Sequence, residues 1–166
     1  RARGGAGEVD AVALTEHDVG SDPARMSTTA VKTPDGAAYV LNGTKLWCTN
    51  GTLAKLLVVM ATDPKTKRIS AFVVETDWPG VKVEHRCHFM GLRALANAVI
   101  RFTDVRIPAA NLIGKEGKGL KIALTTLNDG RLSIPNISVG TAKVCLGIVR
   151  RWAAQRVQWG KPVGRH

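Results

Sequence analysis

Aromatic side chains are few: four Trp, three Phe and one Tyr make up 5% of the 166 residues. Small barrels that bind single strands stack bases on exposed aromatics, so this scarcity argues against a nucleic-acid platform. Cysteine is as thin. Cys48, Cys87 and Cys145 are odd in number, far apart and outside any CxxC pair. That argues against a disulfide framework or a zinc site, and suits reduced packing residues in an intracellular protein. The longest uninterrupted apolar run, "LLVVMAT" from Leu56, has the length of a strand, so no transmembrane segment is expected. The first residues, "RARGGAGEVD", hold no apolar stretch of signal-peptide length, and secretion gains no support. Acidic residues are also short: 13 against 24 Lys and Arg, a net charge of +11. The excess is uneven, since Glu116 to His166 carries nine basic and two acidic residues, 9 − 2 = +7. A surface of this sign serves a polyphosphate ligand, nucleic acid or anionic membrane, and equally a solvated helical face.

What the chain does have is apolar content of 45%, enough for a real core. From Val9 to about Arg106 it reads as short strands between turns: "AVALT", "STTAVKT", "AAYVLNG", "KLWCTN", "LLVVMAT", "ISAFVVE", "VKVEH" and "AVIRFTDVRI". Pro34-Asp35-Gly36 marks a hairpin, and the spacing predicts an antiparallel sandwich or small barrel. After Pro108 the period changes. "GKEGKG" is a loop, and from Leu120 apolar residues recur at helical spacing, with Leu120, Leu124 and Leu127 on one stripe and Ile148, Val149 and Trp152 on a later one. Pro135 is expected to kink or break this helix. The fold class is therefore α+β: an antiparallel β-barrel or sandwich followed by the first long helix of a helical bundle, whose stripe needs further helices to cover it.

Two stretches carry chemistry. In "LWCTNG", strand alternation puts Trp47 and Thr49 on one side, and Asn50-Gly51 places them near a strand end that a ligand could reach. On these residues alone a core tryptophan is the commoner arrangement and stays open. In "ALTEHDVGSD", a strand leads past Thr15 into a loop where Gly20, Ser21 and Asp22 could hold an anion on backbone N–H groups and a hydroxyl; a capped turn fits as well. Other motifs fail. "GKEGKGL" lacks the Lys and Ser/Thr that a P-loop needs after its last glycine. His17, Asp18 and Ser21 are too close in sequence for a triad. His85 and His88, near Cys87, are expected on opposite sides of a strand, so no metal site is expected.

Taken together, "ALTEHDVGSD", "LNGTKLWCTNG", "FTDVRIPAANLIGKEGKGLKIALTTLNDGR" and "RVQWGKP" resemble the flavin-dependent acyl-CoA dehydrogenases, in order and in separation, from about Ala11 to Pro162. The detail of "LNDGRLSIP" and "RVQWGKPVG" looks most like the long bacterial members. The resemblance implies a leader over residues 1–10, the family's middle β-barrel over 11–114 and the start of its C-terminal helical domain over 115–166. It implies FAD as cofactor, an acyl-CoA substrate, electron-transfer flavoprotein as electron acceptor, and a homodimer or homotetramer.

Carried over by position, Trp47 packs on the flavin ring and Thr49 donates a hydrogen bond near its N5 and O4 edge. Leu14 and Thr15 match contacts to the pyrimidine edge. Gly20 and Ser21 match the loop at the FAD pyrophosphate and the CoA moiety, and Arg156 an arginine reaching the FAD diphosphate of a neighbouring subunit. Trp159 stands where the family has Phe. Arg131 matches an arginine near CoA, while Asn128 replaces the family's Asp. The proton-abstracting glutamate has no counterpart at Gly130, so the base is expected beyond His166, and the 166 residues alone are expected to be inactive. An acyl-CoA oxidase, a non-catalytic homologue and, more distantly, a basic nucleic-acid-binding barrel are the alternatives.

Overall fold

The computed structural model describes residues 7–166, so the leader expected over residues 1–10 lies outside the described residues through position 6. The chain forms two compact units, one ending at Leu124 and the other comprising Thr125–His166.

The first unit is built on strands β1 (Asp10–Ala13), β2 (Thr29–Lys32), β3 (Ala38–Cys48), β4 (Leu56–Thr62), β5 (Ile69–Glu75), β6 (Val81–Arg86), β7 (Ala98–Pro108) and β8 (Leu112–Ile113). They make one sheet in the order β6-β7-β3-β2-β4-β5-β8, with β1 also paired to β4. Most pairs are antiparallel, as expected. The exceptions are β1 with β4 and the single contact of β2 with β4, both parallel, so the sheet is mixed. The sheet curls on itself: Leu41, Ile100, Phe102 and Ile107 of β3 and β7 share a core with Leu57, Val59, Phe72 and Val74 of β4 and β5. Strands β4 and β5 are covered on their other face too, where Met60, Ile69 and Ala71 meet Met26 and Ala123. Burial on both faces is why "LLVVMAT" and "ISAFVVE" read as unbroken apolar runs rather than alternating ones.

Two expected strands, "AAYVLNG" and "KLWCTN", are one strand, β3. Its continuity depends on Gly43, whose φ of +146° and proximity to Thr28 both demand glycine: a β-carbon there would lie 2.5 Å from Thr28 Oγ1 and 2.7 Å from its Cα. The glycine-rich loop after β8 acts as a strap. Glu116 accepts hydrogen bonds from Tyr39 Oη at 3.0 Å and Lys32 Nζ at 3.2 Å, and Gly117 donates to Ser70 Oγ at 2.8 Å. Helix α1 (Gly119–Gln155) then starts against β5, where a β-carbon on Gly119 would lie 2.4 Å from the Ser70 carbonyl carbon.

Helix α1 runs through Pro135 without interruption, which corrects the expected break. Proline removes the N–H that would reach the Arg131 carbonyl and crowds that carbonyl, a local cost that the helix absorbs. Around it, Ser133, Asn136, Ser138 and Thr141 donate their side-chain hydrogen bonds to carbonyls four residues back, at 2.9 to 3.0 Å. The helix is rich in apolar residues, and one 18-residue window has a mean hydropathy of 1.4. By length and composition alone, α1 is apolar enough to cross a membrane. In the second unit Leu132, Ile134, Ile137 and Val144 are each more than 60% exposed. A short hairpin follows, β9 (Val157–Gln158) and β10 (Lys161–Pro162), turned by Trp159 and Gly160 at φ of +49° and +78°, the combination a type I′ turn requires.

Gly36 and Gly43 give a paired test of the close approach. Gly36, at φ +69° with only Lys32 Cε within 4 Å, at 3.9 Å, should lose about 1–2 kcal/mol on replacement by Ala, from backbone strain alone. Gly43→Ala adds overlap with the Thr28 backbone and should lose clearly more, measured as urea midpoints at constant slope. Equal losses would show that the Gly43 contact does not constrain the sheet.

Candidate functional site

The end of β3 is irregular in a way that exposes two side chains. Lys45 pairs with Ile100 and Cys48 with Ala98, so Leu46 and Trp47 together face Val99 in a β-bulge. Trp47 takes φ +51° to absorb the extra residue. The bulge shifts the alternation by one place. Lys45 and Cys48 both point inward, while Trp47, 59% exposed, and Thr49, just past the strand, point outward. Trp47 is therefore not a core residue, and the open question about "LWCTNG" is decided. Trp47 and Thr49 line one cleft of about 360 Å³ with Asp10, Ala11, Val12, Asn50 and Val58.

The cleft's neighbouring segment is held by a buried ion pair. Lys45, fully buried, donates to Glu16 Oε1 at 2.7 Å and to the Leu14 carbonyl at 3.0 Å. Glu16 also accepts from the Ser27 N–H at 2.7 Å, the Ser27 hydroxyl and the Thr28 N–H at 3.1 Å. Leu46 N–H reaches the Thr15 carbonyl at 2.8 Å. Leu14 and Thr15 are thus tied by backbone to the residues preceding Trp47. Burial alone would raise the Glu16 carboxyl, but the Lys45 charge and the hydrogen bonds from Lys45, Ser27 and Thr28 outweigh it and hold the pKa at about 2. Burial pushes the Lys45 ammonium down, against the carboxylate that raises it. Neither residue was singled out in the sequence, because an isolated Lys in a strand or Glu in a loop reads as solvent-facing.

Asn97, only 4% exposed, was missed as well. Its Nδ2 donates to the Trp47 carbonyl at 3.2 Å and to Thr49 Oγ1 at 3.3 Å.

The remaining residues singled out from the sequence sit elsewhere. Gly20 and Ser21 lie on an exposed loop between the Glu16–Val19 bridge and a one-turn 3-10 helix at Pro23–Arg25, capped by Asp22. In the second unit Arg131 Nη1 donates to Asn128 Oδ1 at 3.1 Å, so these two side chains meet on α1. Arg156 is exposed just beyond the helix, its carbonyl accepting from Val163 N–H at 2.8 Å. Trp159, 82% exposed, sits edge-on to His166 with ring centroids 5.4 Å apart. The His85 and His88 rings approach to 6.3 Å, which corrects the expectation that they face opposite sides. β6 ends at Arg86, so strand alternation does not extend to His88. No group of three or more potential metal ligands occurs among the described residues.

An exposed indole beside a hydroxyl, over an apolar floor of Ala11, Val12 and Val58, suits a flat ring with a polar edge. Two family models agree with that class. "Acyl-CoA dehydrogenase, middle domain" matches residues 11–105, and "Acyl-CoA dehydrogenase, C-terminal domain" matches residues 117–166. The chain belongs to the acyl-CoA dehydrogenase family. It is 61% identical over 165 residues to the probable acyl-CoA dehydrogenase FadE10 of Mycobacterium tuberculosis, covering 97% of this chain and 25% of that protein. Butyryl-CoA dehydrogenase from Megasphaera elsdenii superposes with a TM-score of 0.85 at 38% identity, over 95% of this chain and 42% of that one. An acyl-CoA dehydrogenase from Bacillus anthracis complexed with FAD gives 0.83 at 38% identity, over 94% and 26%. The chain thus spans about a quarter to two fifths of the length of these relatives.

The buried pair is tested by substitution. Glu16, with a folded pKa of about 2 against an ordinary 4.5, contributes stability that is present above pH 4.5 and lost as pH falls toward 2. Glu16→Gln should flatten the pH dependence of stability in that window. Lys45→Met leaves the carboxylate buried and unpaired, an expected loss of about 3–5 kcal/mol. The double variant E16Q/K45M should lose less than K45M alone in urea unfolding. The reverse order would rule out a coupled pair.

Proposed function

We propose that this chain is the flavin- and substrate-holding part of an acyl-CoA dehydrogenase, with residues 11–114 as the middle domain and 115–166 as the start of the C-terminal helical domain. The full protein oxidises an acyl-CoA thioester between its α and β carbons to the trans-2-enoyl-CoA. The single observation that carries this reading is the outward pair Trp47 and Thr49 at the bulged end of β3, over an open cleft.

FAD, when bound, supplies a two-electron hydride acceptor. The chain's own residues supply position and charge. Trp47 offers an apolar plate that excludes water from one face of the ring. Thr49 Oγ1, already accepting from Asn97, directs its proton outward, where a donor stabilises negative charge developing on a ring edge. The Lys45–Glu16 pair holds the Leu14–Thr15 backbone in place, and these two residues would meet the ring's pyrimidine edge. Gly20 and Ser21 would hold phosphate groups of FAD and CoA, Asn128 and Arg131 would meet the CoA moiety, and Arg156 and Trp159 would serve the FAD diphosphate of a neighbouring subunit. The carboxylate that removes the α-proton comes from the protein beyond His166. We further infer a homodimer or homotetramer, electron-transfer flavoprotein as acceptor, and a bacterial cytoplasmic setting. The apolar face of α1 is covered in this reading by the remaining helices of its domain rather than by lipid.

FAD titration of the full-length protein, followed by flavin absorbance and fluorescence, tests the reading. Trp47→Ala should weaken FAD binding by on the order of tenfold or more, the loss of a buried aromatic contact. Arg156→Ala should weaken it in the assembled oligomer. FAD affinity unchanged in Trp47→Ala would remove this cleft from the flavin site.

A further inference from the structure

Asn97 stands at the head of β7, one residue before Ala98 pairs with Cys48. The bulge leaves the Trp47 carbonyl outside the regular ladder, and the Asn97 side chain supplies its donor. A carbonyl oxygen only accepts, so the amide must present Nδ2, and its second N–H then falls on Thr49 Oγ1. The amide's orientation is thereby set, with Oδ1 buried and without a hydrogen-bond partner among the described residues. A buried acceptor left unmet costs stability, so holding the amide in this orientation has to be offset by the two bonds that its donors make.

The consequence falls on Thr49. A hydroxyl has one proton and two lone pairs, and its proton turns to suit its partners. With Asn97 donating onto the oxygen, the proton is driven away from Asn97, toward the cleft that Thr49 borders. We propose that Asn97 is a positioning residue: one amide clamps the strained Trp47 backbone and polarises the Thr49 hydroxyl, so that plate and donor are presented to the flavin in fixed relation. This rests on the flavin reading of the cleft.

The test is a double-mutant cycle on the full-length holoenzyme, read as the two-electron midpoint potential of the bound flavin. Thr49→Val should change the ratio of affinities for oxidised and reduced flavin by about tenfold, seen as a shift of about 30 mV. Asn97→Leu, similar in size and without donors, should shift the potential in the same direction and by a comparable amount. The double variant should sit with the singles rather than at their sum. Asn97→Asp provides a second route if Asn97→Leu fails to fold. Its carboxylate accepts from the Thr49 hydroxyl and turns the proton inward, so its shift should shrink in the Thr49→Val background.

If Thr49→Val shifts the potential but the Asn97 variants leave it unmoved, or add fully to it, the positioning role is overturned and the flavin reading stands. If Thr49→Val and Trp47→Ala both leave potential and FAD affinity unchanged, the flavin reading itself fails, and the role of Asn97 with it.

Discussion

The Lys45–Glu16 ion pair is the constraint on which the candidate site depends. Lys45 leaves the middle of β3 and points inward, where an ammonium without a partner would be driven neutral or out. Its partner comes from a loop, and that loop is pulled across the sheet end to reach it. Glu16 in turn needs more donors than one lysine supplies, and Ser27 and Thr28 complete its shell. Buried ion pairs are poor sources of stability, because desolvation offsets most of the Coulomb gain. Their worth here is positional. Three chain segments, at Glu16, Ser27 and Lys45, are compelled to converge, and Leu14 and Thr15 are carried with them.

The bulge at Leu46 and Trp47 performs the complementary task. Without it, strict alternation would put Trp47 inward with Lys45, and the indole would join the core. One extra residue turns the indole out and Cys48 in. A positive φ at a tryptophan is unfavourable, so the conformation needs support from outside the strand. The ladder to Ala98 on one side and the Asn97 amide on the other supply it. Frame and clamp thus act on consecutive residues: Lys45 fixes what lies behind the cleft, and Asn97 what faces it.

Much of the first unit was legible in the sequence, because local signals and global fold agree there. "LLVVMAT" and "ISAFVVE" are β4 and β5 residue for residue, and Pro34-Asp35-Gly36 turns β2 into β3. Trp47 and Thr49 were legible as a pair by their spacing, although alternation gave the right neighbours for an incomplete reason: the bulge, unseen in sequence, is what turns them out. The parallel pairing of β1 with β4 leaves no local trace, since partners distant in the chain announce nothing in either strand. Lys45, Glu16 and Asn97 were missed because polar residues are assigned to solvent unless a partner is known, and each partner lies on a different segment. Pro135 misled in the opposite direction. A proline inside a periodic pattern is a sound reason to end a helix, and nothing in the local sequence shows that this one continues through it.

The parallel strand β1 has a kinetic consequence. Ala11 and Val12, which line the cleft, reach it only when Asp10–Ala13 docks on Leu56–Val59, after β2, β3 and their hairpin have been made in between. Closing a long loop costs chain entropy before its contacts repay it, so a pairing of this kind is slow to form. The cleft floor is therefore a sensor of completed folding. A ligand held there would recognise only chains whose first and fourth strands have met, and would slow their separation by mass action.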